Sequence, residues 1–215
     1  MKQNSVNYKK QMEQEIANIQ GAGKKPTLLL HACCAPCSSA VLELLSKHFD
    51  ITLYFYNPNI SPESEFVFRL EELKRLTQIM NLPDVSVVAP PYDSTEFDTI
   101  ALGLEHLPEG GARCEKCYRL RLGRSVAYAK EQGFDYVTTT LSISPYKNVR
   151  WLNEIGTELG EAFGIKYLVS DFKKGEGYKR SCTLSKTYNL YRQNYCGCIY
   201  SKEIAQRTNG GSKVL

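Results

Sequence analysis

Two periods of apolar residues run along the chain. Leu28-Leu29-Leu30 is a continuous apolar run and predicts a buried strand over 27–31. Ile51 to Tyr56 predicts a second strand, stopped by Asn57-Pro58-Asn59. Val85 to Val88, Tyr136 to Thr140 and Tyr167 to Val169 predict a third, fourth and fifth. Helical spacing fills the intervals. Met12, Ile16 and Ile19 share one side of a helix over 7–19. Residues 40–45 predict a helix that ends near Lys47. Leu70, Leu73, Leu76 and Met80 recur in a helix that starts at Ser61-Pro62-Glu63, with acids in its first turn. Further helices are predicted over 96–102, 113–132, 149–163 and 183–192, and a frayed tail from Asn209 onward.

Strands that alternate with helices predict the α/β class: an open, mostly parallel sheet with helices on both faces. The expected organisation is a single domain over 1–215. It comprises an N-terminal helix extension (1–26), an α/β core (27–170) and a basic, aromatic, cysteine-bearing C-terminal segment (171–215). Sites in such sheets lie outside the carboxyl ends of the strands. Cys33, Cys34 and Cys37 fall at one such end, and Ser142-Ile143-Ser144-Pro145 at another.

Composition narrows the function. No apolar run approaches the roughly 20 residues of a membrane span, and residues 1–20 lack the apolar core of a signal peptide. The expected compartment is the cytoplasm, with no membrane partner. In a reducing compartment, eight cysteines with paired Cys-x-x-Cys spacings point to metal or redox chemistry before disulfides. A net charge of +4 permits a nucleic-acid partner without requiring one. No glycine-rich phosphate loop follows the first strand, which argues against an ATP- or NAD-dependent enzyme.

Cys34 and Cys37 are three apart, as are Cys114 and Cys117, so each pair can project two sulfurs to one side of a helical turn. Cys33 adds a fifth sulfur at a strand-to-helix junction, where unpaired N–H groups favour thiolate. The set suits structural zinc, an iron–sulfur centre, or thiol–disulfide exchange through Cys34 and Cys37. Five thiols exceed zinc's four ligands, and the location is that of an active site. Cys196-Gly197-Cys198 can bind a metal or form a readily reduced disulfide, whereas the solitary Cys182 reads as packing. His31 ends the first strand and reads either as a structural residue or as a participant. Lys173, Lys174, Lys179 and Arg180, with tyrosines downstream, suit phosphate contact and base stacking. Arg119, Arg121 and Arg124 follow Cys117 and extend that basic patch toward the site. One assembly of these parts is a zinc-stabilised RNA-binding protein without catalysis.

Four ordered motifs resemble the QueH-type epoxyqueuosine reductases: His31-Ala32-Cys33-Cys34-Ala35-Pro36-Cys37, Arg113 to Arg121, Thr139 to Lys147, and Tyr195-Cys196-Gly197-Cys198. The resemblance spans about 28–201. It implies a fold similar to nucleotide-binding α/β proteins of the HUP type, a [4Fe–4S] cluster and an additional iron ion. The implied reaction reduces epoxyqueuosine to queuosine at the tRNA wobble position, with an electron donor and epoxyqueuosine-bearing tRNA as partners. Cys33, Cys34, Cys114 and Cys117 would be the metal thiolates and Cys37 a further ligand, where some members of the family carry aspartate. Cys37 and His31 are the candidate catalytic residues, Cys196 and Cys198 the candidate redox pair.

Overall fold

The computed structural model describes residues 6–21, 23 and 25–210, with side chains as far as residue 206. Five parallel strands form one sheet in the order β3-β2-β1-β4-β5. They are β1 (Thr27–His31), β2 (Asp50–Tyr54), β3 (Ser86–Val88), β4 (Tyr136–Thr139) and β5 (Lys166–Tyr167). The central strand is β1, with Leu29 opposite Thr52 on one side and Val137 on the other. Side chains alternate across a strand. Leu28 and Leu30 therefore join the core under α1 (Tyr8–Gly21), α2 (Ala35–Leu45) and α3 (Glu63–Ile79), whereas Leu29 faces Val126 and Ala129 of α5 (Ala112–Glu131). Both faces are covered, which accounts for the unbroken apolar run in β1. The short helix α4 (Thr95–Ala101) precedes α5, and α6 (Val149–Phe163) packs beside α5.

Met12, Ile16 and Ile19 of α1 are buried against this core. Helix α6 lies close to β5 because Gly156 and Gly160 expose its backbone. A Cβ on Gly156 would sit 2.2 Å from the Tyr167 ring, and one on Gly160 2.8 Å from the Ile165 carbonyl. No described helix is long and apolar enough to cross a membrane.

Three elements depart from expectation. Helix α2 begins at Ala35, before Cys37, because Pro36 fixes a helical φ in its first turn. Helix α7 spans Gly177–Thr187 instead of 183–192. It is launched by positive φ at Gly175 and Glu176, and Gly177 passes so close to Phe172 that a Cβ would lie 1.9 Å from its carbonyl oxygen. A further helix, α8 (Ile199–Gly210), follows the Cys-x-Cys turn and contains the start of the expected tail. The rest of that tail, 211–215, lies outside the described residues.

Candidate metal centre

The chain leaves β1 toward β2 and β3 on one side and later returns to β4 on the other. The crevice where strand order reverses lies outside the carboxyl ends of β1 and β4. Strand β1 delivers Cys33 and Cys34 there, and the first turn of α2 adds Cys37. Their three sulfurs lie within 4.8 Å of one another, with Cys33 and Cys34 Sγ 3.8 Å apart. Thr140, at the end of β4, donates its hydroxyl to Cys33 Sγ at 3.6 Å and accepts the Cys33 N–H at 3.4 Å. The Cys34 carbonyl accepts from Ser38 N at 3.1 Å and from Ser38 Oγ at 2.9 Å. Hydrogen bonds from Cys33 and Cys37, with the Arg69 charge nearby, hold the Cys34 thiol well below its ordinary range. The same sharing pushes Cys37 well above it. The cluster thus carries one thiolate readily and resists a second unless a cation replaces the protons.

Cys114 and Cys117 occupy the first turns of α5, as expected. Gly110 N–H donates to Cys114 Sγ at 3.3 Å, and burial pushes the Cys117 thiol up to about 12. The structure sets this pair beside Cys196 and Cys198 in a small cavity. Among the described residues, Cys33, Cys34 and Cys37 are the only group of three or more such donors at metal-binding separation. Cys196 bridges the two neighbourhoods, since it also lines the large cavity of about 540 Å³ onto which Cys33, Cys34 and Cys37 open. All eight cysteines are free thiols here, Cys196 and Cys198 included. Gly197 turns between them at φ +121, its carbonyl accepting the Ser61 N–H at 3.0 Å, and a Cβ there would meet Arg69 and Ile60 at 3.0 Å. Cys198 turns inward, against Phe97, Ala101 and Cys117.

Three buried arginines surround these thiols. Arg121 donates to Asn57 Oδ1 at 2.5 Å, and Asn57 in turn donates to the Ala32 carbonyl at 2.9 Å. Arg69 donates to Glu65 at 2.7 Å and to the Cys196 carbonyl at 3.1 Å. Arg113 donates to the carbonyls of Leu104, Glu105 and Leu107 and lies 4.4 Å from the Tyr200 ring centroid. Yet Arg69 Nη2, Arg113 Nε and Nη2, and Arg121 Nε are buried without a partner. Burial opposes the Arg121 charge, but the thiols of Cys117, Cys196 and Cys33 outweigh it and raise its pKa. Buried, underpartnered guanidinium groups are costly in isolation, and an anionic occupant offsets that cost. Soft sulfur donors ringed by cations fit a thiolate-bound iron–sulfur centre, whose net charge is negative.

The remaining expected residues are dispersed. His31 is fully buried and lies outside the lining of the large cavity. Its Nε2–H donates to the Tyr56 carbonyl at 3.1 Å and its Nδ1 accepts from Thr139 Oγ1 at 2.8 Å. Burial, with Arg121 nearby, lowers its pKa to about 3. The neutral ring therefore ties β1 to the neighbouring strand ends. Each residue of the basic stretch has an acidic partner: Lys173 and Lys174 with Asp171, Lys179 with Glu176, and Arg180 in a two-point pair with Glu43. Arg119 and Arg124 pair with Glu158 and Glu96 on the surface, so of the three arginines on α5 after Cys117 only Arg121 joins the site. Asn57, Arg69 and Tyr118 escaped the sequence reading. Arg69 carried a signal, because it falls in the apolar stripe of Phe66, Leu73 and Leu76 where a solvated charge has no place.

The model of the family described as "Epoxyqueuosine reductase QueH" matches residues 28–204. A protein named epoxyqueuosine reductase QueH from Staphylococcus epidermidis is 39% identical over 206 residues, covering 94% of this chain and 87% of that one. Its namesake from Streptococcus pyogenes serotype M1 is 39% identical over 202 residues, covering 93% and 79%. A solved NMN synthetase from Francisella tularensis superposes with a TM-score of 0.49 and 13% identity, over 96% of this chain and 87% of that one.

Proposed function

The chain belongs to the epoxyqueuosine reductase QueH family, and on that premise we propose that it reduces epoxyqueuosine to queuosine at the wobble position of tRNA. The observation that carries the reading is the three-thiol cluster at the crevice, open to a cavity of about 540 Å³ and backed by buried arginines. Cys33, Cys34, Cys114 and Cys117, with Cys37 as a further ligand, would hold a [4Fe–4S] cluster and an additional iron ion. When bound, such a centre supplies electrons one at a time and a Lewis acid for the epoxide oxygen. The chain's own residues shape the reaction. Arg69, Arg113 and Arg121 hold positive charge beside the thiolates. Neutral His31 and Asn57 fix the segment that carries Cys33 and Cys34. The exposed ring of Tyr146, the guanidinium of Arg192 and the ring of Tyr195 line the cavity and suit stacking against a nucleobase.

Lys173, Lys174, Lys179 and Arg180 hold tRNA phosphates, exchanging their intramolecular carboxylates for phosphate oxygens. Cys196 and Cys198 serve as a reversible pair. Oxidation of two thiols to a disulfide releases two electrons and two protons, the number that removal of the epoxide oxygen as water consumes. An external donor restores the thiols, and a reducing, cytoplasmic setting suits that cycle. The test is anaerobic incubation with epoxyqueuosine-bearing tRNA and a low-potential one-electron reductant such as dithionite, followed by nucleoside mass spectrometry. Loss of one oxygen from the modified base is expected. Unchanged tRNA with iron-loaded protein overturns the reading.

A further inference from the structure

Lys147 is a buried charge that neither the metal centre nor the tRNA surface employs. It follows the four-residue helical turn Thr140–Ile143 that caps β4, and its residue is 8% exposed. Its Nζ pairs with Glu109 at 2.8 Å. It lines the large cavity together with Cys33, Cys34 and Cys37, and the small cavity together with Cys114, Cys117 and Cys196. Tyr118 lines that second cavity too, its hydroxyl buried without a partner. Burial opposes the ammonium, but Cys196, Tyr118 and Glu109 outweigh it, so Lys147 is held charged. An ammonium has three donors, and a lysine that served only to neutralise Glu109 would fit equally well in solvent. Lys147 thus lies on the wall common to the cavity onto which Cys33, Cys34 and Cys37 open and the one that holds Cys114 and Cys117.

We propose that Lys147 is a catalytic acid that protonates the epoxide oxygen as it leaves, with Glu109 orienting its ammonium. One C–O bond breaks as Lys147 Nζ passes a proton to the oxygen and two electrons are supplied by the Cys196–Cys198 thiols as they close to a disulfide, which the low-potential reductant reopens. The second C–O bond then breaks, the carbon–carbon double bond forms, and the departing hydroxide takes a solvent proton to become water. Two electrons and two protons are consumed, and Lys147 regains its proton from solvent through the cavity. Proton transfer from an ammonium to an alkoxide runs downhill, and positioned general acids contribute about 10²–10⁴-fold.

This inference rests on the epoxide-reducing reading, and its experiment separates the two. Lys147→Met keeps the length of the side chain without the ammonium. It should retain the wild-type iron and sulfide content and tRNA affinity, while single-turnover reduction slows by about 100-fold or more. Lys147→Arg keeps a charge that does not give up a proton and should remain slow. Wild-type turnover should show a normal solvent deuterium effect, a readout that does not depend on how either variant folds. A fast Lys147→Met variant overturns the assignment, as does full activity in Lys147→Arg, loss of iron from Lys147→Met, or no deuterium effect. Wild-type protein that leaves the epoxide intact overturns the broader reading instead.

Discussion

Asn57→Leu tests the link between the fold and the metal centre. Asn57 is 1% exposed and joins three segments: its own loop after β2, the Ala32 carbonyl just before Cys33, and Arg121 one turn past Cys117. Leucine preserves the approximate volume and removes both hydrogen bonds. The Ala32 carbonyl loses its side-chain donor, at a cost of about 1–3 kcal/mol for a buried group left unsatisfied. Arg121, already buried with Nε unpartnered, loses the 2.5 Å acceptor that holds its Nη2. A hydrogen bond to a charged group is worth about 1.5–3 kcal/mol, and these losses overlap because the groups share one network. The expected destabilisation is about 2–5 kcal/mol. At about 2–4 °C per kcal/mol for a chain of this size, the melting temperature should fall by roughly 4–20 °C. Anaerobic thermal denaturation followed by circular dichroism reads it, with iron content measured in parallel and expected to drop. Glu158→Gln breaks the exposed Arg119–Glu158 pair and serves as the control, expected to change stability by less than about 1 kcal/mol. If Asn57→Leu melts within the range of that control, the buried Asn57–Arg121 network does not hold the site together.

Gly156→Ala places a methyl 2.2 Å from the Tyr167 ring. It should destabilise the protein by about 1–3 kcal/mol through overpacking, and an unchanged melting temperature would show that α6 and β5 can separate freely. Arg180→Glu, which also repels Glu43, should weaken binding of tRNA uniformly across sequences and reduce the salt dependence of log K by about one phosphate contact. Filter binding across a salt series reads it, and an unchanged slope removes Arg180 from the interface. Cys196→Ser removes one thiol of the pair and should fail to sustain repeated turnover. Sustained multiple turnover would exclude the Cys196–Cys198 pair from the cycle.

The sheet, its parallel sense and the location of the thiols are legible in the sequence, because the apolar run of β1 and the Cys-x-x-Cys spacings are local signals. Both Cys-x-x-Cys pairs lie at helix N-termini: Cys34 is the extended cap of α2 with Cys37 in its first turn, and Cys114 and Cys117 lie within the first two turns of α5. The start of α7 is not legible, because its two glycines resemble a loop, and only the approach of Phe172 shows why Gly177 opens a helix. Helix α8 follows a polar, cysteine-bearing turn and is anchored by Tyr200 against Arg113, a contact between distant segments. The arginines mislead most. In sequence Arg119, Arg121 and Arg124 form one basic patch, yet helical geometry sends Arg121 inward beside Leu122 and Ser125 while the other two meet surface carboxylates. A charge on an apolar stripe was the signal available for both Arg121 and Arg69.

Iron, zinc and acid-labile sulfide in anaerobically purified protein, together with a visible spectrum, test the central claim most directly. Iron and sulfide with a broad absorption near ~400 nm are predicted for a thiolate-bound iron–sulfur centre at this crevice, with iron in excess of sulfide if the additional ion is present. Stoichiometric zinc without sulfide or colour, persisting after anaerobic reconstitution with iron and sulfide, would contradict the account and leave the thiols a structural role.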